Sequence, residues 1–548
     1  MRNHVCVAGT IDRRGFVRGA AGAAVAATLA TRGTATEMAT AAGKTLVRPV
    51  RGGRFRQGVA SGQPGPRAMT LWTKLSDVEL GGNVTLEVAR DPGFDRVVER
   101  RQVRAMKLHD FAVKARVTSL RPNERYFYRF ETGHKASPVG EFKTLPAPGS
   151  RVPIRIGIFS CQDYVPGFYT GHAGLAAEDD LDLVVCLGDY IYERIFYEKV
   201  RDDQTGKNGD GEVQTLREYR EKYALYHSDE NLRELRRRHP FMAIWDDHEV
   251  EDNYAADIPG EATQDPRRPF LKRRRSAYRA YFEHMPFAPA GSGERRRNRF
   301  RIHRSIRIGK HAELMLLDQR QYRDDQPCGD TIPPTPPCGD DVRNDPSRTL
   351  LGAEQKHWLK RRLKRSGATW KLIGNQAMAM ALDIPPTNPL NVDQWDGYGA
   401  EREEIFGMVG ARGIENVSLL TGDIHTFFAG QLTPTGRQGP GQPAPVATEF
   451  VAGSMTSLGI PETINGTTGV PLPPAIQAAI ADSVILRGNN PHYAYSNTEK
   501  RGYGVVEADG RSLRVQFRSP ATTTERESSV STLAQFEVAA GVPSVQVA

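Results

Sequence analysis

Two apolar runs joined by one long segment place the strongest constraint on the fold of this chain. Residues 154–159 and 181–187 have the length and the β-branched composition of strands that are buried on both faces. The segment between them is long enough for a crossover helix, so the pair predicts a βαβ unit within a parallel sheet. Cys161 follows the first run and Asp189 follows the second. Open parallel sheets bind their ligands in this position, at the carboxyl ends of the strands.

Three further predicted strands, at residues 241–245, 370–374 and 416–420, also end in polar clusters. The candidate site residues at the five strand ends are Cys161, Asp189, Tyr192, Asp246, Asp247, His248, Asn253, Asn375, Asp423 and His425. Helix capping accounts for an Asp or Asn at one end, but it does not call for Cys, His and Tyr at several. Carboxylates, imidazole and amide oxygens together bind two or more cations, which hold a phosphoryl group and activate water. The pattern therefore predicts a polynuclear metal site.

Several of these residues also have ordinary structural interpretations. Cys161 would suit a small buried position, and Tyr192 would suit a hydrophobic core. His425 would suit a hydrogen-bonded loop, and Asn375 would suit a turn at the end of a strand. The polar residues on either side of Cys161 favour a ligand or a nucleophile over a simple buried thiol.

Charge argues against nucleic acid as the main partner. The chain has 548 residues and a net charge of +9, but its basic residues are scattered among 65 acidic ones. The arginine runs at 236–238, 273–275 and 295–297 indicate solvated surface, and no known nucleic-acid-binding module accompanies them. Arg320 and Arg323 follow another predicted strand, where they would either bind a phosphate through bidentate contacts or form structural ion pairs.

The first 42 residues are typical of an export signal. Residues 12–18, DRRGFVR, resemble the twin-arginine pattern, and a weakly apolar Ala/Gly-rich run follows at 19–30. That run is too short for a stable membrane span, and residues 39–41 offer a small-residue cleavage site. We therefore expect the twin-arginine export machinery as a partner and a periplasmic or extracellular location.

The cysteines fit an oxidising compartment. Cys6 would leave with the signal, and Cys186 lies inside an apolar run, where it is predicted to be a small core residue. Cys328 and Cys338 flank a proline-rich loop, which predicts a disulfide in an exported protein.

The patterns of strands and helices divide the mature chain into three parts. Short alternating strands separated by Pro and Gly turns predict a β-sandwich at residues 50–145. Strands that alternate with helices predict an α/β domain at residues 151–520, with a two-sheet core and helices outside. Residues 521–548 show no readable pattern and are interpreted as a C-terminal tail.

Ordered short motifs add a resemblance to a known family. GDxxY at 188–192, DHE at 247–249 and GDxH at 422–425 resemble the motifs of calcineurin-type metallophosphoesterases, including the purple acid phosphatases. The fuller strings resemble the alkaline phosphatase D (PhoD-like) family: FSCQDY, LGDYIYE, WDDHEVEDN, LDQRQYRD, GNQ and TGDIHTFF. The leading FRQGVASGQPGPRAMTLWTKL is similar to the N-terminal sandwich domain of that family. The resemblance covers essentially the whole mature chain and implies a metallophosphoesterase core behind a β-sandwich.

The resemblance implies Fe(III) and Ca²⁺ as cofactors. The matching residues Cys161, Asp189 and Tyr192 would bind the iron, and Asp189 would bridge to calcium. The chemistry agrees, because a phenol of pKa about 10 loses its proton near pH 7 only beside a strongly charged Lewis acid. Oxygen ligands from Asp and Asn suit the hard Ca²⁺ ion.

The calcium ligands that the resemblance implies are one of Asp246 and Asp247, together with Asn253, Asp423 and His425. The simpler phosphoesterase motif favours Asp247 over Asp246 as the ligand. Both remain candidates, since each follows the same predicted strand.

The resemblance further implies hydrolysis of phosphate monoesters and diesters. The metals would bind the phosphate, water would attack phosphorus, and His248 would stabilise the transition state or protonate the leaving group. Asn375 would line the cleft and Arg320 would grip the phosphate. Two alternatives remain open: a phospholipase D-like phosphodiesterase with the same metals, and a non-catalytic exported binding protein.

Overall fold

The computed structural model describes residues 48–260, 266–287, 300–383, 389–459 and 488–548. The predicted signal peptide at 1–42 lies outside the described residues, so its role stays a prediction. Within the described part of the chain, no helix is both long and apolar enough to cross a membrane.

Nine short strands form the N-terminal part of the structure: β1 (Arg51–Arg54), β2 (Val59–Gly65), β3 (Ala68–Lys74), β4 (Ser76–Leu80), β5 (Gly82–Ala89), β6 (Val97–Ala105), β7 (Ala112–Val117), β8 (Arg125–Glu131) and β9 (Gly140–Lys143). The predicted alternation is visible in β8, where Tyr126, Tyr128 and Phe130 are buried and their neighbours are more exposed. The layer β6-β5-β8-β9 shares a hydrophobic core with Met69 and Val113 of the layer that contains β2, β3 and β7. The predicted β-sandwich is confirmed.

The predicted βαβ unit lies at the centre of the α/β domain. Its parallel strands and crossover helix are β10 (Ile154–Phe159), α1 (Thr170–Ala177), β11 (Leu183–Cys186) and β12 (Pro240–Ala243). Three further helices are α2 (Leu216–Tyr226), α3 (Glu230–Arg238) and α4 (Phe270–His284). A capping box formed by Thr215 and Glu218 begins α2, and the side chain of Asp229 caps α3.

One layer of the sandwich continues directly into this sheet. Strand β2 pairs in parallel with β12, and Phe241 lies opposite Gly62. The indole Nε1 of Trp72 on β3 also donates a hydrogen bond of 2.8 Å to the backbone oxygen of Glu283 in α4. The sandwich therefore contributes strands to the sheet of the α/β domain.

A second sheet and two outer helices complete the two-sheet core. Its elements are β13 (Arg304–Ile308), β14 (Ala312–Leu316), α5 (Gly352–Arg365), β15 (Trp370–Asn375), α6 (Gly399–Ala411), β16 (Val417–Thr421), β17 (Phe427–Leu432), β18 (Ala447–Ala452) and β19 (Tyr493–Asn497). The strand order is β13-β14-β15-β16-β18-β17-β19. Leu314 and Leu316 of β14 enter the core shared with the first sheet, whereas Met315 packs with Leu359 and Leu363 of α5. The predicted core with helices outside is confirmed.

The C-terminal residues return to the first sheet. Their strands are β20 (Tyr503–Ala508), β21 (Ser512–Pro520), β22 (Val530–Ala539) and β23 (Gln546–Val547). The complete order of this sheet is β23-β22-β21-β20-β10-β11-β12-β2-β3-β7. Strand β22 pairs along the whole of β21 and buries Phe536 and Val538. The structure thus places two strands within residues 521–548, where the sequence showed no pattern.

The predicted disulfide between Cys328 and Cys338 is present, with the two Cα atoms 5.7 Å apart. Cys186 is buried within β11, as predicted for a core residue. Cys161 is also buried and unbridged, which leaves its thiol at the carboxyl end of β10.

Candidate metal centre

The carboxyl ends of strands from both sheets meet at one place. Three groups of potential ligand atoms lie there, and the atoms of each group are all within 4.8 Å of one another. The groups are Cys161 with Asp189 and His425, Asp189 with Asp247 and His248, and Asp189 with Asp246, Asp247 and Asp423. Asp189 belongs to all three groups, so it is the common point of the cluster.

A thiol, a phenol and an imidazole surround one side of Asp189. The Tyr192 hydroxyl donates a hydrogen bond of 3.1 Å to Asp189 Oδ2 and lies 3.2 Å from His425 Nε2. His425 Nδ1 donates to the backbone oxygen of Leu458 at 2.6 Å, so Nε2 carries the lone pair that faces the cluster. Burial lowers the pKa of His425 to about 3, which keeps this imidazole neutral and available as a ligand.

Unusual backbone conformations bring these side chains together. Cys161, Asp189, Asn253, Asp423 and His425 all have positive φ, between 54° and 67°. Non-glycine residues seldom adopt this region, and each instance costs roughly 1–3 kcal/mol, so such residues concentrate at functional sites. The sharp turn at Asp189 is what brings Tyr192, three residues later, back towards the end of the strand.

A group of carboxylates lies on the other side of Asp189, with Asp246 and Asp247 buried and Asp423 partly exposed. Asp247 Oδ2 accepts a hydrogen bond of 2.8 Å from the backbone N–H of Asn253, which is how Asn253 contacts the group. Asp246 Oδ1 accepts a hydrogen bond from Arg320 Nε. Asp423 Oδ2 accepts a hydrogen bond from the side-chain amide of Gln394, in the loop at 391–398. Asp246 and Asp247 therefore both lie in the cluster, Asp246 in one of the three groups and Asp247 in two.

Burial and the neighbouring charges shift the pKa values of this group. Burial, followed by the neighbouring Asp247, raises the pKa of Asp189 well above its usual value although His248 opposes the shift. Burial and Asp393 raise the pKa of Asp423 to about 6. Burial would also raise the pKa of Asp247, but Arg320 and His248 outweigh it and lower that pKa to about 2. The carboxylates repel one another, and a bound cation would relieve that repulsion.

His248 lies at the edge of the cluster in an oriented position. Its Nδ1 lies 2.9 Å from Glu193 Oε2, and its ring stacks on Tyr192 with the centroids 4.1 Å apart. Burial would lower the pKa of His248, but Asp247, Asp189 and Glu193 raise it well above its usual value. The structure thus holds His248 next to the candidate ligands, as the sequence predicted.

Asn375 is placed differently from the prediction. Its Oδ1 accepts hydrogen bonds from Gln319 Nε2 at 2.5 Å and Trp395 Nε1 at 3.3 Å, and its Nδ2 donates to Ala377 O and Thr421 Oγ1. The side chain is fully buried and both of its polar atoms are engaged with protein. It braces the second sheet behind the cluster and does not line an open cleft.

Arg320 also departs from the predicted phosphate grip. Its guanidinium is fully buried and forms a bidentate pair with Asp393, with Nη1–Oδ1 and Nη2–Oδ2 distances of 3.0 and 2.6 Å. Arg323 binds the same carboxylate at 2.8 Å and is also buried. The structural ion pairs weighed as the alternative are therefore what the structure shows.

Known proteins match this chain over most of its length. The model of the family described as PhoD-like phosphatase matches residues 156–517, and the model of its N-terminal domain matches residues 39–146. Alkaline phosphatase D of Bacillus subtilis is 36% identical over 550 residues, covering 96% of this chain and 87% of that protein. The chain belongs to the PhoD-like phosphatase family. It is therefore a phosphoric ester hydrolase.

Solved structures agree with this assignment. One described as the structure of PhoD shares 32% identity with a TM-score of 0.77, covering 90% of this chain and 92% of that one. A purple acid phosphatase from yellow lupin (Lupinus luteus) seeds shares 11% identity with a TM-score of 0.52, covering 86% and 73% of the two chains. The second likeness shows the fold alone. Together with the clustered ligand atoms, membership of the PhoD-like family implies metal-dependent catalysis.

The donor atoms of this PhoD-like phosphatase fit bound cations. Among the described residues, Asp189 Oδ1, Asp246 Oδ2 and Asp247 Oδ1 are buried and have no hydrogen-bond partner. Buried carboxylate oxygens are costly unless they are paired or bind a metal. Burial and the adjacent Asp189 also raise the pKa values of Cys161 and Tyr192 well above the usual, so both would need a strongly charged cation to ionise.

Sequence reasoning missed the residues that hold the ligands in place. Glu249 accepts hydrogen bonds from the backbone N–H groups of Asp189, Tyr190 and Asp246 at 3.2, 2.6 and 2.7 Å. One buried carboxylate thus ties the loop after β11 to the loop after β12. The DHE motif contained Glu249, and a carboxylate two residues after a candidate ligand was the available signal.

Replacing Glu249 with Gln should weaken metal binding. An amide keeps one acceptor oxygen and places an NH₂ group where the other oxygen accepted, so at least one backbone donor loses its partner and the two ligand loops should be held together less firmly. Loss of a residue that orients ligands costs about 10–100-fold in metal affinity or activity. Metal content after dialysis and the rate of ester hydrolysis measure the effect.

Glu401→Gln is the matched control for that variant. Glu401 is also buried, and it accepts hydrogen bonds from Thr349 Oγ1 at 3.0 Å and from the backbone N–H of Leu351 at 3.3 Å. We expect it to lower stability without changing metal content. Equal metal loss in both variants would contradict the assigned role of Glu249.

Proposed function

We propose that this protein is an exported hydrolase of phosphate monoesters and diesters that works with Fe(III) and Ca²⁺. The observation that carries the proposal is the position of Asp189, which lies in three overlapping groups of potential ligands where the strand ends of the two sheets meet. A carboxylate shared in this way suits a site that binds two cations side by side. The family assignment supports phosphate esters as the substrates.

The donor types divide the cluster between the two metals. Cys161, Tyr192 and His425 lie on one side of Asp189, and a thiol with a phenol favours the trivalent iron. The carboxylates Asp246, Asp247 and Asp423, with Asn253 beside them, offer the oxygen donors that Ca²⁺ prefers. His425 was expected among the calcium ligands; its Nε2 lies with the thiol and the phenol, so we assign it to the iron side.

When bound, the cations would draw in the phosphate oxygens and increase the acidity of water. Residues of the chain orient the imidazole of His248, which supplies a proton. Glu193 engages Nδ1 of His248, so Nε2 is the nitrogen left to donate a proton to the departing alkoxide. Stacking on Tyr192 limits the rotation of the imidazole ring.

Hydrolysis of model esters tests this function. The mature protein should cleave p-nitrophenyl phosphate and bis-p-nitrophenyl phosphate. A chelator or Asp189→Asn should lower both rates by more than about 100-fold, which exceeds the loss expected when a residue that only orients a ligand is replaced. Asp182→Asn, at the other end of β11, should keep both rates within a few fold. Full activity in Asp189→Asn would contradict the role proposed for Asp189, and a mature protein that cleaves neither ester would favour the non-catalytic binding protein. Preferential cleavage of a phospholipid would favour the phospholipase D-like alternative.

The identity of the metals has its own signature. A phenolate bound to Fe(III) absorbs visible light, so the purified protein should be coloured and should contain iron and calcium by elemental analysis. Tyr192→Phe should remove the visible absorption, whereas Tyr190→Phe, in the same loop, should retain it. A colourless protein without iron, or an unchanged spectrum in Tyr192→Phe, would exclude the proposed iron site.

Export rests on the paired arginines Arg13 and Arg14 and is supported by the disulfide, because disulfides persist in oxidising compartments. Replacement of both arginines with lysine should retain the protein in the cytoplasm of an expressing bacterium. Cell fractionation and immunoblotting measure the exported share. Undiminished export of the double variant would rule out the twin-arginine route.

A further inference from the structure

Arg320 is a cation built into the protein beside the candidate metal ligands. Its Nε donates to Asp246 Oδ1, and its Nη2 lies 3.5 Å from Asp247 Oδ1 and 3.9 Å from Asp423 Oδ1. The guanidinium is fully buried, so water does not screen it. The carboxylates assigned to bind calcium are thus already within reach of a permanent positive charge.

A fourth carboxylate holds that charge in place. Asp393 pairs with Arg320 through two parallel hydrogen bonds, a geometry that fixes the plane as well as the position of the guanidinium. Asp393 is 3% exposed and belongs to none of the three groups of potential metal ligands. Its backbone N–H donates to Asn391 Oδ1 at 2.8 Å, and Arg323 Nη2 lies 2.8 Å from its Oδ1.

Removal of this counter-ion would change what Arg320 binds. Among the described residues, the acidic groups that then remain within 4 Å of Arg320 are Asp246, Asp247 and Asp423. In the intact protein, Asp247 and Asp423 lie near Arg320 Nη2, but neither makes the short, bidentate contact that Asp393 makes. Without Asp393, the guanidinium would turn towards them and occupy oxygens that a cation would otherwise bind.

We propose that Asp393 is a positioning residue that holds Nη2 of Arg320 away from Asp247 and Asp423 and so prevents an internal cation from competing with the metal for their oxygens. The inference rests on the proposed function in one respect, that these carboxylates bind Ca²⁺. The neighbouring Gln394 orients Asp423, because its Nε2 donates to Asp423 Oδ2 while its Oε1 accepts from the backbone N–H of Met378. The loop at 391–398 therefore positions both Arg320 and Asp423.

Calcium titration of chelator-stripped protein tests the proposal. The full mature chain and its variants are titrated with CaCl₂ by calorimetry, and their melting temperatures without metal report folding. Asp393→Asn should bind Ca²⁺ about tenfold more weakly than the wild type, the lower bound for residues that orient ligands. Arg320→Gln should bind Ca²⁺ at least as tightly as the wild type, because it removes the competitor.

The double variant separates competition from general damage. If Asp393 acts through Arg320, the combined Asp393→Asn and Arg320→Gln protein should return to within about threefold of Arg320→Gln, a strongly non-additive result. Asp396→Asn is the matched control, since Asp396 is a buried carboxylate in the same loop and pairs with Arg402 at 3.0 Å. It should leave Ca²⁺ affinity within about twofold of the wild type, since the carboxylate of Asp396 pairs with Arg402 and not with Arg320.

Each outcome supports or overturns the proposal. Wild-type affinity in Asp393→Asn, equal weakening in the double variant, or equal weakening in Asp396→Asn would each overturn it while leaving the proposed hydrolase intact. If Asp393→Asn does not fold, Arg320→Gln alone decides, since weaker Ca²⁺ binding in that variant contradicts the competition. A wild-type protein that binds no Ca²⁺ would instead refute the metal assignment in the proposed function.

Discussion

Mutual repulsion among buried aspartates is the constraint on which the rest of this site depends. Asp189, Asp246, Asp247 and Asp423 lie close enough for their oxygens to share one cation. The first three are buried, and Asp423 is partly exposed. Burial of unpaired charge is among the most costly features a fold can contain. The arrangement is therefore stable only if the surrounding protein, or a bound metal, supplies positive charge and hydrogen-bond donors.

The protein supplies hydrogen-bond partners for this site from elements that are far apart in the chain. Backbone N–H groups bind Glu249 and Asp247, the Arg320 guanidinium binds Asp246, and a carbonyl oxygen fixes the tautomer of His425. These contacts involve both sheets, so the core between the sheets sets the spacing of the ligands. A close-packed core of this kind resists small shifts, which is how a site assembled from loops keeps a fixed geometry.

The sequence was sufficient to predict where chemistry occurs but not which polar residues face it. Cys161 and Asp189 could be predicted because parallel strands end at one edge, so residues just beyond their ends must meet. Asn375 and Arg320 also follow strands, yet both are directed at protein partners. Those partners, Trp395 and Asp393, lie 20 and 73 residues away in sequence, in a loop without a recognisable motif. Local patterns carry no information about such a pairing.

The pairing between the sandwich and the α/β domain also joins residues far apart in sequence, so local patterns could not predict it. This pairing affects the metal centre. Strand β12 leads into Asp246 and Asp247, and it pairs with β11 on one side and with β2 of the sandwich on the other. Without β2, the strand that supplies two candidate ligands would be an exposed sheet edge, which frays and invites pairing with other chains. The Cβ of any larger residue at Gly62 would meet the backbone oxygen of Phe241 at 2.4 Å, so the close approach of these two strands requires glycine there. The N-terminal sandwich therefore contributes to the metal centre indirectly, by completing the sheet from which two of its aspartates extend.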